Sequence, residues 1–312
     1  MLKIWLKISL KFLNRFFAPI RLCAVMLSLG ILPSYTSAAN QYEEYIAKYA
    51  EMARQQMKAF NIPASITLAQ GLLESSAGKS TLAREGNNHF GIKCHADWQG
   101  DTMLRNDDRP DECFRVYDSP EDSFRDHSLF LRRKRYAPLF DLEITDYTGW
   151  AKGLRKCGYA TDPNYADKLI SIIELYSLYN YDSDNMREIE EMANFIHKTL
   201  SSRHAVRKMR GSIYYVIAQP GDTYAKIAKE LKMSKKKLLA FNDCDSDQEI
   251  PAWQEVYLQD KPDCPPAGER SATIGDGETM HSIAQRYGMR LSTLKALNPK
   301  AKDKPGTTLR LR

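Results

Sequence analysis

The run Gln70-Gly-Leu-Leu-Glu-Ser-Ser-Ala-Gly78 decides how the middle of this chain folds and where its chemistry sits. Just before it, Asn61-Ile62-Pro63 starts a helix, because proline suits a first helical turn. Ile66, Ala69, Leu72 and Leu73 recur at helical spacing and give that helix an apolar face. Gly78 ends it. Glu74 is therefore expected in the last turn of an otherwise buried helix. The helix dipole disfavours a carboxylate at that end, and an apolar surround disfavours it too. Both effects raise its pKa towards what a general acid needs near neutral pH. A solvated glutamate ahead of a helix-ending glycine would look the same, so the neighbouring residues matter. Upstream, Tyr42, Tyr45, Ile46, Tyr49, Met52 and Ala53 predict another helix over residues 41–60.

Downstream, Gly86-Asn-Asn-His-Phe-Gly-Ile-Lys93 is a polar, glycine-bounded turn with an aromatic inside it, and Trp98, Phe114 and Tyr117 follow closely. Polar loops with aromatic faces suit a sugar, whose C–H faces stack on rings while its hydroxyls need fixed hydrogen bonds. Between them, Asp101, Asp107, Asp108, Asp111 and Glu112 crowd a hairpin-like stretch that reads by itself as a solvated loop. His89, Cys94 and His95 lack a fourth partner at zinc-ligand spacing. Cys157 has no local feature that would activate a thiol. The basic run Arg132-Arg-Lys-Arg135 reads as a solvated helix end, and no glycine-rich phosphate loop occurs.

The C-terminal third repeats itself at an offset of 56 residues: Gly221 and Gly277, Thr223 and Thr279, Ile227 and Ile283, Ala228 and Ala284, Met233 and Met289, Leu238 and Leu294, Asn242 and Asn298. Each copy reads as strand, turn, helix, helix, strand, with Thr223 or Thr279 as the helix N-cap. This βααβ unit resembles the LysM domain. The resemblance implies binding to N-acetylglucosamine-containing glycans such as peptidoglycan or chitin. Two copies point to independent modules and not to a solenoid.

Net charge is +6 over 312 residues, but it is unevenly spread. Residues 1–39 carry +5, residues 40–200 carry −6 and residues 201–312 carry +7. A nucleic-acid reading from total charge is therefore unsafe; the basic C-terminal part suits an anionic polymer such as the cell wall. Residues 1–39 show a basic start, an apolar core from Leu22 to Leu32, then Thr36-Ser-Ala-Ala39. That order predicts a secretory signal peptide, too short in its apolar core for a spanning helix. A secreted, periplasmic or wall-associated protein with no stable membrane span follows. An uncleaved anchor is the alternative. In an oxidising compartment Cys94 and Cys113, and separately Cys244 and Cys264, are candidate disulfides, with Cys157 left over.

The motifs Ala69-Gln70 to Glu74-Ser75, Asn88-His-Phe-Gly-Ile92, Phe114-Arg-Val-Tyr117 and Tyr159-Ala-Thr-Asp-Pro-Asn-Tyr165 occur in order. Together they resemble the glycoside hydrolase family 73 endo-β-N-acetylglucosaminidases over about residues 42–181. The resemblance implies an α+β, mostly helical lysozyme-like domain with a small β-lobe. It also implies cleavage of the β-1,4 bond between N-acetylglucosamine and N-acetylmuramic acid in peptidoglycan, with no cofactor or metal. Carried over by position, Glu74 is the catalytic acid and Tyr159 stands at the reacting sugar. Asp107 is the nearest candidate for a second carboxylate, with Asp108 next and Glu112 weaker. Asn88 and Phe90, with Trp98 and Asp108, would bind substrate, and Tyr165 would pack. Retaining, inverting and substrate-assisted routes stay open, because they differ in carboxylate spacing. The resulting layout is a signal peptide (1–39), the lysozyme-like domain (41–185), a helical or basic linker (186–211), a LysM module (212–260), a Pro-rich linker (261–269) and a second LysM module (270–312). A lytic transglycosylase and a non-catalytic wall-binding scaffold are the competing functions.

Overall fold

In the computed structural model, residues 37–96, 98–183, 204–209, 213–266 and 268–312 are described. The signal-peptide reading falls largely outside them, as does most of the 186–211 linker. The first part is helical: α1 (Ser37–Phe60), α2 (Ala64–Glu74), α3 (Thr81–Gly86), α4 (Pro120–Leu131), α5 (Tyr147–Lys156) and α6 (Tyr165–Leu175). Short 3-10 helices follow α4 (Lys134–Asp141) and α6 (Leu178–Asp182). A single hairpin, β1 (Thr102–Arg105) with β2 (Glu112–Arg115), forms the small lobe, pairing Arg105 with Glu112 at its tip.

Helix α2 is the central post. Ala64 to Leu72 are all buried, and α1, α5, α6 and the Leu178–Asp182 helix pack round it. Pro63 offers no side-chain cap at its start. The cap comes from Asp182, whose carboxylate accepts from the Ser65 backbone N–H (2.8 Å) and hydroxyl (2.6 Å). Gly71 is required by close approach: a Cβ there would meet the Tyr45 hydroxyl at 2.5 Å. The far end of α2 stops abruptly, with Ser76, Ala77 and Gly78 in succession at positive φ. Two non-glycine residues in that region cost about 1–2 kcal/mol each, and the turn they make fixes Glu74 at the tip of a buried helix.

Cys94 and Cys113 are bonded and tie the loop before β1 to β2. The bond closes a 19-residue separation. Replacing both cysteines by serine is expected to cost about 3 kcal/mol, checked by urea unfolding under non-reducing conditions. The other expected pair does not form: Cys244 and Cys264 are both free, as is Cys157. The Cys244 thiol sits on the Tyr224 hydroxyl at 3.1 Å instead.

The two repeats fold as read. The first has β4 (Ile213–Ile217), α7 (Tyr224–Glu230), α8 (Lys235–Phe241) and β5 (Glu255–Tyr257). The second has β6 (Ser271–Thr273), α9 (Met280–Arg286), α10 (Leu291–Leu297) and β7 (Thr308–Arg310). Thr223 and Thr279 cap α7 and α9 through their side chains. The matched asparagines do one job twice. Asn242 bonds the backbone of Leu238 and Tyr257, and Asn298 bonds that of Leu294 and Arg310, so each pins its second helix to its closing strand.

The connections differ from the expectation of free linkers. Arg207–Met209 is β3, paired antiparallel to β4. His204, just before it, lies between Asp222 and Glu230, at 2.8 Å from each. In the segment read as a Pro-rich linker, Lys261 is only 2% exposed and pairs with Asp243 at 2.7 Å. The Tyr257 hydroxyl donates to the Gln285 carbonyl at 2.6 Å, and the buried Gln285 amide donates to Asn242 and to the Glu255 carbonyl. The modules are therefore packed on each other, not independent. The first also shares a core with the helical part: Tyr42 meets Trp253 edge-on at 5.5 Å, and Met209, Ile213, Tyr215 and Tyr257 join the same apolar cluster. No helix among the described residues is long and apolar enough to cross a membrane.

Candidate active site

A cavity of about 480 Å³ opens between the tip of α2, the hairpin and the 158–162 loop. Glu74, Phe90, Asp107, Asp108 and Tyr159 all line it. Burial pushes the Glu74 carboxyl up to about 7, and the negative charges of Asp107 and Asp162 act the same way. The Tyr165 hydroxyl and Lys168 oppose that rise only in part.

A relay of hydrogen bonds holds this carboxyl. Burial keeps His127 neutral, with its pKa down to about 3. Its Nε2 lies 3.1 Å from Gln70 Oε1, which only accepts, so Nε2 carries the proton. The Gln70 amide donates to the Tyr165 oxygen at 3.0 Å, and the Tyr165 hydroxyl donates to Glu74 Oε1 at 2.8 Å. Oε1 is thus the oxygen that Tyr165 holds. Tyr159 stacks on Tyr165, with ring centres 5.7 Å apart. Its hydroxyl reaches back towards the Phe90 carbonyl at 3.4 Å.

Loss of the Tyr165 bond has a definite sign. The bond favours the carboxylate form, so Tyr165→Phe raises the Glu74 pKa further. The Glu74 carboxyl itself is expected to titrate near pH 7 in the native chain. In the variant its titration moves up by about one pH unit. A titration profile measured from pH 5 to 9 checks this.

The hairpin carboxylates are not free. Lys93 stands among Asp107 (2.8 Å), Asp108 (3.0 Å) and Glu112 (2.8 Å). These three acids approach one another closely enough to hold a cation, and the Lys93 ammonium is the cation they hold. Across the cavity, Thr161 donates to Asp108 at 3.0 Å. Beyond it lies a buried set in which Lys168 bonds Asp162 (2.7 Å) and Glu255 (3.0 Å). Burial raises the Asp162 pKa, but Lys168 and Arg286 outweigh it and hold the carboxyl below its usual range. Burial keeps that of Glu255 above its usual range.

Residues 50–178 match the glucosaminidase family, described as mannosyl-glycoprotein endo-beta-N-acetylglucosaminidase, and residues 216–258 and 272–312 each match the LysM domain. The exo-glucosaminidase LytG of Bacillus subtilis is 34% identical over 195 residues, covering 58% of this chain and 68% of that protein. The chain belongs to the glucosaminidase family. It is a family 73 glycoside hydrolase with two LysM domains. An autolysin of Enterococcus faecalis is 28% identical over 85% of this chain, though the match spans only 39% of that longer protein. A crystal structure of a peptidoglycan hydrolase from Sphingomonas sp. A1 matches at 30% identity and a TM-score of 0.41, over 46% of this chain and 97% of that one.

Within the glucosaminidase domain, two residues expected to bind substrate lie outside the cavity lining. Asn88 is 1% exposed, and its side chain bonds the backbone of Ile92 and Arg115, bracing the loop against β2. Trp98 does not line the cavity; its indole donates to the Asp101 carbonyl and its ring lies against Arg115 and Tyr117. Tyr165, expected only to pack, is buried and also bonds Glu74 directly. Lys168 and Glu255 had no sequence signal tying them to the site, and Lys93 only ended the polar turn read over 86–93. The motif Tyr159 to Tyr165 did bracket Asp162, and its two tyrosines were the available hint.

Proposed function

We propose that this glucosaminidase hydrolyses the β-1,4 bond that follows N-acetylglucosamine in peptidoglycan, with Glu74 as acid and then base. The observation that carries the reading is the Glu74 carboxyl at the cavity, held by Tyr165 and pushed by burial up to about 7. The proton on Glu74 goes to the leaving glycosidic oxygen as the C1–O bond breaks. Asp107, Asp108 and Glu112 already share the Lys93 charge. That supports the substrate-assisted route, in which the sugar's own acetamido oxygen bonds to C1. Water then opens this intermediate, and the Glu74 carboxylate takes its proton, so the net addition is one water. In this reading Tyr159 orients the acetamido group. Asp107→Asn is accordingly expected to lose less activity than Glu74→Gln, measured as product released from purified sacculi.

The LysM domains supply peptidoglycan binding. Because they are packed on the enzyme rather than strung on a linker, they orient the wall at the cavity as well as raising its local concentration. The substrate places the enzyme at the cell wall, outside the cytoplasm, and residues 1–39 serve export in this reading. The test is the identity of new reducing ends after borohydride reduction. Glucosaminitol supports the assignment. Muramicitol would indicate cleavage of the other glycosidic bond, and anhydromuramic ends would indicate a lytic transglycosylase.

A further inference from the structure

The cavity is not walled by the glucosaminidase domain alone. Pro251 to Glu255 of the first LysM domain and Glu278, Ser282 and Arg286 of the second also line it. These are not passing contacts. The Asn164 side chain, 3% exposed, donates to Glu255 at 2.9 Å, and Lys168 pairs with the same carboxylate. The Asn164 amide also reaches the Arg286 carbonyl at 3.4 Å, linking the second LysM domain to the start of α6.

The hairpin tip is tied to the second LysM domain as well. Asp276 of the second LysM domain accepts from the Asn106 side chain at 3.0 Å and from its backbone N–H at 3.4 Å, and returns its own N–H to the Asn106 carbonyl at 3.2 Å. Two residues on, Asp108 accepts from Thr161 across the cavity. The tip is thereby tied both to the helical lobe and to the second LysM domain. Glu255 and Arg286 thus wall the cavity from the LysM side, and the Asn106–Asp276 tie holds the hairpin to the same domain as Arg286.

We propose that the LysM domains close one end of the catalytic cleft, so that the enzyme admits the ends of glycan strands and releases products of one small size. This rests on the glucosaminidase reading above and adds to it the substrate class, strand termini in place of internal bonds. It also gives the LysM domains a part in specificity distinct from wall binding.

The experiment uses the full chain on long, peptide-free glycan strands of narrow length range, sampled early and sized by chromatography and mass spectrometry. The expected result is short product with a reducing N-acetylglucosamine end, while the remaining strands shorten only gradually. Asn106→Ala with Asp276→Ala removes the two side-chain bonds of the tie without touching Glu74 or Tyr159. Internal cuts per end cut are then expected to rise roughly tenfold, the effect of losing about two ordinary hydrogen bonds. Intermediate lengths appearing first with the native chain, still ending in N-acetylglucosamine, would overturn the closed-end inference and leave the function intact. A double variant that still cuts only at ends would overturn the role given to the tie. No N-acetylglucosamine ends from any strand would overturn both readings together.

Discussion

Glu74→Gln is expected to lower the rate of wall hydrolysis by roughly 10²–10⁴-fold, the usual worth of a positioned general acid. The same substitution should make the protein more stable at neutral pH. The unfolded chain gives up this proton near the ordinary glutamate value of 4.5, while the folded chain holds it until about pH 7. Between those values the native state binds more protons than the unfolded state, so stability falls as pH rises. Above pH 7 the full cost of the buried charge remains. Glutamine has no proton to lose, so the variant's advantage should grow through that window and then level off. Thermal unfolding at several pH values, run beside the activity assay, reads both effects. Equal stability of the two proteins at pH 8 would mean that Glu74 is solvated and lacks the environment of an acid.

Lys168→Met is the second large effect. The lysine holds two carboxylates, Asp162 and Glu255, in a site where its own side chain is 12% exposed and that of Glu255 only 2%. Burial alone would lower the Lys168 pKa, but the two acids more than reverse this and keep the ammonium charged. Removing one partner from a buried ion pair costs about 3–5 kcal/mol, because the remaining charge is stranded. For a chain of this size that corresponds to a Tm roughly 10 °C lower. Adding Glu255→Gln removes one stranded carboxylate and should restore part of the loss. An unchanged Tm in Lys168→Met would show that the junction between the glucosaminidase and LysM domains is not held by this network.

The parts that could be read from sequence are those encoded by local periodicity. Glu74 at the end of α2, the Thr223 and Thr279 caps and the paired asparagines all follow from helix spacing or from a fixed repeat. The Cys94–Cys113 bond was a candidate for the same reason, since its cysteines flank one short hairpin. Long-range pairing leaves no such trace. Asp182 caps α2 from 117 residues away. Tyr165 meets Glu74 across 91 residues, and Glu255 meets Asn164 from another domain at the same separation. Trp98 and Asn88 lie off the cavity lining, because an aromatic and an amide near a sugar-like loop serve equally well to brace it. Lys261 escaped notice because a lysine among prolines has the composition of a linker, whereas the ion pair that buries it depends on tertiary packing.

The most direct test of the account is digestion of purified peptidoglycan in ¹⁸O-water by the native chain and by Glu74→Gln. The account predicts new reducing N-acetylglucosamine ends carrying one ¹⁸O, found by mass spectrometry with the native chain and lost with the variant. Unlabelled anhydromuramic ends, or labelled ends produced equally by both proteins, would contradict it.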